Sequence, residues 1–484
     1  MGRLDLRAAA RQAMLDSGFV PELPADAARE LAAAPDHQPA PPGARDLRDL
    51  PWTSIDNDDS RDLDQLEASE RVGDGGIRVR VAVADVDALV PKGSALDRFA
   101  GANTTSVYTG VVTFPMLPEQ LSTDRTSLNE DADRVAMVVE FTVAADGSVR
   151  DPSVAWSRVC NHAQLAYNGV GMWLEEEGPA PGRLATKPAL AEQVRMQDEA
   201  AGRLRLVRYK AGALELETIE ARPVMKDGEV VDLDLTKKTR ARELIEDFMI
   251  AANTTIAGFL ERAQVPSLRR VVRTPRRWDR IVELAAGLGA KLPATPDARA
   301  LAEFLTARRA ADPIRFPDLS LAVVKLLGPG EYVVDRPGEA PPGHFGLAVE
   351  DYTHSTAPNR RYADLVTQRI VKAVLAGAPA PYSVGELEVI AAHCTAKEND
   401  SQKVERLLRK MAAAAMLAAH VGERYDAIVT GDTAHGVYVR LLQPPVEGRV
   451  VRNEEGLDVG DRTTVKLLST DPARGFIDFE RVGR

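Results

Sequence analysis

Asp56, Asp62 and Asp64 lie inside the stretch Ile55-Asp-Asn-Asp-Asp-Ser-Arg-Asp-Leu-Asp-Gln65. So many carboxylates in so few residues are unfavourable unless something positive is held among them. Hard divalent cations take oxygen ligands, and Mg²⁺ in particular is held by a few protein carboxylates while water and substrate phosphate fill its other positions. The chemistry this implies is phosphoryl transfer. Asp and Asn are also common turn and cap residues, so the run by itself reads equally as a solvated acidic loop. A second segment supplies what the first lacks: Arg360 and Arg361 stand directly after a Pro358-Asn359 turn. Metals bridge the oxygens of a transferring phosphoryl group, and a guanidinium stabilises the charge of its transition state. Structural ion-pair networks gather the same residue types.

The spacing D-x-x-x-x-x-D-x-D at Asp56, Asp62 and Asp64, with T-x-P-x-R-R-Y-x-D from Thr356 to Asp364, resembles the ribonuclease II (RNB) family. Shorter matches follow in the family's order: Ala84-Asp85-Val86, Ser106-Val107-Tyr108, and the segments 115–122, 245–253 and 344–347. The resemblance covers most of the chain. It implies a processive 3′-to-5′ exoribonuclease that uses Mg²⁺ on single-stranded RNA and releases nucleoside 5′-monophosphates. By motif position it makes Asp56, Asp62 and Asp64 the metal ligands, around two ions about 3.5–4 Å apart that straddle the scissile phosphate. Asp62, Asp64 and Arg360 are then the catalytic set, with Asp64 the most critical. Asp58 and Asp59 fall off the pattern and read as turn residues, and Arg361 is expected to hold a nearby carboxylate.

The resemblance also assigns RNA contacts: Tyr108 and Tyr167 as base platforms, Glu246 and Glu405 as readers of ribose, and Arg369 as a phosphate contact. A carboxylate accepts from the 2′-hydroxyl, the group that separates RNA from DNA. Two departures stand out. The family's fourth carboxylate, directly after Asp64, is here Gln65, and the aromatic expected opposite Tyr108 aligns with Leu216. Both motivate a rival reading, a weakened member that binds RNA or protects its ends. A DNA-acting nuclease is a further alternative, disfavoured by the two sugar-reading glutamates.

A chain of 484 residues, 44% of them hydrophobic, exceeds what one core serves. The net charge of −11 argues at first against a nucleic-acid partner. Binding depends on where the positive charges cluster, and the segments 267–280 and 403–410 are strongly basic. Cys160 and Cys394 lie far apart without a C-x-x-C pattern, which suggests reduced packing thiols. The start lacks the apolar core of a signal peptide, and no apolar run reaches membrane-spanning length. A cytoplasmic monomer is expected, with no protein partner indicated.

Periodicity and turn signals divide the chain into an α+β multidomain protein. Helical patterns at residues 4–17 and 25–33, then a Pro-rich linker at 35–43, make residues 1–46 a small helical N-terminal module. It is too short for the paired cold-shock barrels typical of the family. Residues 47–422 are expected to form a large mixed α/β RNB catalytic domain. It has strands at 77–83 and 136–143, helices at 243–262 and 362–375, and Gly/Pro-rich loops at 178–182 and 328–343. Five short β patterns in 423–484 predict an RNA-binding OB-fold barrel, with Tyr438 and His435 as candidate stacking residues.

Overall fold

The computed structural model describes residues 4–482 except 218–219, 227–228, 237, 340–342, 434–435 and 458. His435 therefore lies outside the described residues. The chain begins with α1 (Leu6–Asp16), whose first N–H groups are capped by the Asp5 carboxylate, and α2 (Ala25–Ala33). An extended linker then enters the main sheet, built from β1 (Arg45–Asp46), β2 (Thr53–Asp56), β3 (Gln65–Arg71) and β4 (Ile77–Ala84). After α3 (Ala95–Asn103) and a short hairpin of β5 (Val107–Tyr108) and β6 (Thr113–Phe114), the sheet resumes with β7 (Asp133–Val143), β8 (Val149–Cys160) and β9 (Ala163–Ala166).

Its seven strands run in the order β1-β8-β7-β4-β3-β2-β9. The inner pairs are antiparallel, and the edge strands β1 and β9 pair in parallel. The alternation of Ile77 to Val83 predicts a half-buried strand, yet β4 is buried along nearly its whole length. Both faces of the sheet are covered, and the intruding Arg80 is accommodated by Glu70 at 2.8 Å and by Glu140.

The cover comes from α4 (Tyr167–Leu174), α5 (Gly182–Thr186), α6 (Pro188–Ala211) and α7 (Arg240–Arg262), while the hairpin of β10 (Glu220–Lys226) and β11 (Glu229–Thr236) that precedes α7 packs instead against the helix at 384–417. There follow β12 (Ser267–Val271), a helical insertion of α8 (Trp278–Gly287), α9 (Ala298–Ala311) and α10 (Phe316–Leu327), and β13 (Glu331–Asp335), which pairs with β12. Two expectations change here. The stretch 328–343 is not all loop, since it supplies β13. The basic segment 267–280 is largely neutralised within the fold: Arg269 is buried against Asp335 at 2.6 Å, Arg270 is held by Glu398, and Arg280 by Glu283.

The remaining helices are α11 (Tyr362–Leu375) and α12 (Val384–Leu417), the latter started by a Ser383/Glu386 capping box. The chain ends in a closed barrel of β14 (Arg424–Thr433), β15 (Gly436–Leu441), β16 (Glu447–Arg452), β17 (Arg462–Asp471) and β18 (Phe476–Arg481). Helix α12 is the spine of the molecule. Its first half joins the main core through Leu387, Ala391 and Cys394, and its end joins the barrel core through Ala413, Ala414 and Leu417. Between them Val404 and Leu408 bury Leu6, Ala10 and Met14 of α1. Each such fully buried aliphatic side chain contributes about 1.5–3 kcal/mol. The N-terminal helices are thus docked onto the body. Cys160 and Cys394 are free thiols, and burial pushes the Cys394 thiol up to about 12. Among the described residues no helix is long and apolar enough to cross a membrane.

Candidate active site

Residues 61–64 are fixed before any substrate arrives. The Leu63 side chain is buried in the core, its N–H donates to Ser127 Oγ at 3.0 Å, and its carbonyl accepts from Leu128 at 3.0 Å. Ser127 Oγ in turn donates to the Arg61 carbonyl at 2.7 Å. Asp62 and Asp64 flank this anchored residue, Asp62 half-buried and Asp64 buried.

The arginine loop meets them there. Asn359 N–H donates to Asp64 Oδ1 at 2.9 Å and Arg360 Nε to Asp64 Oδ2 at 3.1 Å. The loop is held from behind by Asp364, which accepts from Ala357 N–H at 2.8 Å and from Arg361 at 2.7 Å, as expected for Arg361. Thr126 Oγ1 donates to the Asn359 side chain at 2.6 Å, and Ser106 N–H donates to the Arg360 carbonyl at 3.0 Å. Thr104 sits at φ 59°, a left-handed backbone that costs a β-branched residue about 1–3 kcal/mol. Its carbonyl accepts from Tyr362 N–H at 2.8 Å and so ties α3 to the start of α11.

Tyr108, on the β5–β6 hairpin, bridges two predicted site residues. Its hydroxyl donates to Asp62 Oδ2 at 3.2 Å, and its backbone N–H donates to Glu405 Oε1 at 3.0 Å. It is 44% exposed, so a ring face stays open.

The electrostatics set this cluster apart. Burial raises the Asp64 carboxyl to about 7, against the opposing pull of Arg360 and the Asn359 N–H, while Asp62 adds to the rise. Burial also raises Asp62, with Arg360 opposing and Asp56 reinforcing. For Arg360 burial works against the charge, but Asp64, Asp56 and Asp62 outweigh it and hold the guanidinium above its ordinary range. Although crowded by protein, the Arg360 side chain keeps 44% of its surface accessible.

The other predicted residues divide. Tyr167 opens α4 with the Arg242 guanidinium 4.3 Å from its ring centre, so one face is already occupied by a cation. Glu246 is 48% exposed on α7, with Lys238 at 3.7 Å. Asp58 is exposed and accepts from Asn168, in keeping with a turn residue. Arg369 differs from expectation. It is buried, with its guanidinium bonded to Asp87, Asp97 and Tyr382 at 2.8 Å each, so its donors are spent on holding α11 to the segment around α3. Leu216 is half-buried against the apolar cluster of the helical insertion that contains Trp278, Ile281 and Phe304, which gives it a packing task. Sequence reasoning missed Asn359, Thr126 and Asn253. The last, buried on α7, accepts from Ser355 N–H and Oγ at 2.8 Å and shapes the approach to the arginine loop. A lone Asn after Ala251-Ala252 was its signal.

Residues 44–377 match the RNB domain model, and residues 423–482 match that of the C-terminal S1 domain of RNase II-type exonucleases. The chain belongs to the RNB family. It is 32% identical over 471 residues to ribonuclease R of Thermotoga maritima, which covers 90% of this chain and 64% of that protein. It spans little more than half the length of several other curated relatives. Its fold matches Mycoplasma genitalium RNase R in complex with ribose-methylated single-stranded RNA (TM-score 0.88, 22% identity, 99% of this chain and 78% of that one). It also matches yeast Ssd1, a pseudonuclease (TM-score 0.70, 18% identity, 92% and 55%). At these identities the two structures speak for the RNB fold alone.

The family resemblance implies a divalent cation, and the donor chemistry fits one. Asp56, Asp62 and Asp64 are hard oxygen donors, and the raised Asp62 and Asp64 carboxyls are those a bound cation would draw back down. Among the described residues no three His, Cys, Asp or Glu side chains converge on one point. Asp64 is turned to Arg360 and Asp62 to Tyr108, so taking up a cation requires these carboxylates to turn from those partners.

Proposed function

We propose that this chain is a 3′-to-5′ exoribonuclease that hydrolyses single-stranded RNA processively, with Mg²⁺, to nucleoside 5′-monophosphates. The observation that carries this reading is the Arg360–Asp64 pair at 3.1 Å: a buried carboxylate shared with a guanidinium that remains accessible. In this reading Asp56, Asp62 and Asp64 hold the metal. The chemistry that Mg²⁺ supplies when bound is Lewis acidity at the scissile phosphate. Arg360, released from Asp64, turns to the phosphate oxygens and stabilises the charge that develops there. Tyr108 presents its open face to a base near the strand end, and its hydroxyl gives up Asp62 when that carboxylate turns to the cation. Glu405 fixes the backbone of Tyr108, and in this reading it lies beside the ribose that Tyr108's base carries. The barrel of residues 423–484 extends the RNA path, as a separate domain beside the catalytic body of residues 47–422.

A second reading, an RNA-binding member that does not cut, is favoured by Gln65 in place of the family's carboxylate and by the fold shared with a pseudonuclease. Titrating Mg²⁺ into purified protein with labelled single-stranded RNA decides between them. Cleavage that rises with Mg²⁺, stops with chelator and is absent in Asp64→Asn supports the nuclease; binding without cleavage at any Mg²⁺ concentration supports the rival.

A further inference from the structure

The arginines around the first turns of α7 are held by carboxylates: Arg240 donates to Asp198 at 2.8 Å, and Arg205 and Arg208 of α6 reach Asp247. Arg242 is different. Among the described residues no carboxylate pairs with its guanidinium, which instead donates to the Asn57 side chain at 2.8 Å and leaves its buried Nε without an acceptor. The guanidinium lies over the Tyr167 ring, 4.3 Å from the ring centre, and the side chain is part-exposed. A partly desolvated cation without a counter-ion is unfavourable unless another group meets it, and the aromatic ring supplies only part of that.

Its position is that of a site residue. Asn57 directly follows Asp56, and Glu246, the expected reader of a ribose, is four residues further on and so lies one turn along the same face of α7. Tyr108 is tied through Glu405 to α12, the helix that leads to the barrel, whereas Arg242 stands at the other end of the acidic run, beside Asp56. A strand that comes along the barrel passes Tyr108 before it reaches Arg242. Bases stack on the planes of guanidinium groups as well as on aromatic rings, and a ring behind the guanidinium keeps that plane in place.

We propose that Arg242, backed by Tyr167, is the stacking surface for the base of the 3′-terminal nucleotide, the one removed in each cut. This rests on the exoribonuclease reading above. Asn57 sets the position of the guanidinium, and contact with the face of a base serves all four bases alike.

The test is equilibrium binding of a short 5′-labelled single-stranded RNA to the full chain in chelator, with two companions that are abasic at the 3′-terminal nucleotide or at an interior one. Arg242→Ala should weaken binding of the intact RNA by roughly fivefold or more, the loss of one stacked base, and leave the terminally abasic RNA within about twofold of wild type. Arg242→Lys keeps the charge but not the plane, and should show the same pattern; it carries the test where Arg242→Ala does not fold. The interior abasic RNA should lose affinity in the variants as the intact one does. Equal losses on the intact and terminally abasic RNAs would make Arg242 a tether of the Asn57 loop and overturn the proposal, as would unchanged binding of the intact RNA or full affinity in Arg242→Lys. A wild type that binds no RNA sinks the functional reading as well; a wild type that senses the terminal base, with position-242 variants that sense it equally, sinks the Arg242 assignment alone.

Discussion

Two arginine–aspartate clusters stand on either side of the start of α11, built from the same residue types and put to opposite uses. Around Arg369 the pairing is closed: the guanidinium bonds to Asp87, Asp97 and Tyr382, Lys372 reaches Asp85 at 2.8 Å and Asp87 at 3.0 Å, and only 3% of the Arg369 side chain is exposed. Around Arg360 the pairing is open: one carboxylate is shared with a backbone N–H, and 44% of the arginine side chain remains accessible. A closed network fixes structure because its donors are committed to partners within the protein. An open one keeps valence for a ligand; burial raises the carboxyls of Asp62 and Asp64 there, as it raises Asp85 in the closed network, so the contrast lies in the accessible guanidinium.

The sharpest way to break this contrast is to truncate each arginine in turn. Arg360→Ala should lower turnover on single-stranded RNA by roughly 10³ or more, as loss of a transition-state guanidinium does elsewhere, while the chain still unfolds cooperatively. A change confined to KM would make Arg360 a binding group. Arg369→Met should instead destabilise the fold by about 3–5 kcal/mol in urea unfolding, because it strands buried carboxylates without their partner. If stability is kept and RNA affinity falls, Arg369 meets phosphate after all.

The open cluster also predicts a pH dependence. In the folded chain the Asp64 carboxyl titrates near 7 against an ordinary value of 3.8, so the folded state keeps a proton that the unfolded state has lost between those values. Its contribution to stability is therefore fully present below about pH 4 and is lost as pH rises through about 7. Without metal, the stability of wild type relative to Asp64→Asn should fall by about 2 kcal/mol from pH 5.5 to 7.5. A parallel pH course for the two proteins would contradict the burial of that charge.

The sequence made the open cluster legible because its chemistry is local. D-x-D and the R-R pair each sit within a few residues, and the turn at Pro358-Asn359 announces that they are displayed. The elements were legible for a similar reason: the helices at 25–33 and 362–375 and the five barrel strands follow periodicity and turn residues closely. What stayed hidden is what depends on pairings far apart in sequence. Nothing near Arg369 distinguishes a phosphate ligand from a partner of Asp87, which lies 282 residues away. Arg269 read as part of a basic surface until β12 paired with β13 and buried it against Asp335. Leu216 aligned with a stacking aromatic, but the helical insertion that packs on it follows later in the chain.

Smaller effects sharpen the picture at the RNA end. Tyr108→Ala should weaken binding of short single strands by about 1–3 kcal/mol, the usual contribution of one stacked base. Leu216→Phe, set among the apolar side chains of the insertion, should leave the Kd within about twofold, under roughly 0.5 kcal/mol. A tightening near fivefold would bring Leu216 back to the base-stacking site.

The central claim is that the open cluster cuts RNA from its 3′ end. The direct measurement follows 5′-labelled single-stranded RNA with Mg²⁺ through time, with wild type and Arg360→Ala side by side. The account predicts labelled products shortened from the 3′ end down to a short remnant with wild type, and intact RNA over the same period with the variant. Intact RNA retained in complex with the wild type would contradict it and make this chain a binding protein on a nuclease fold.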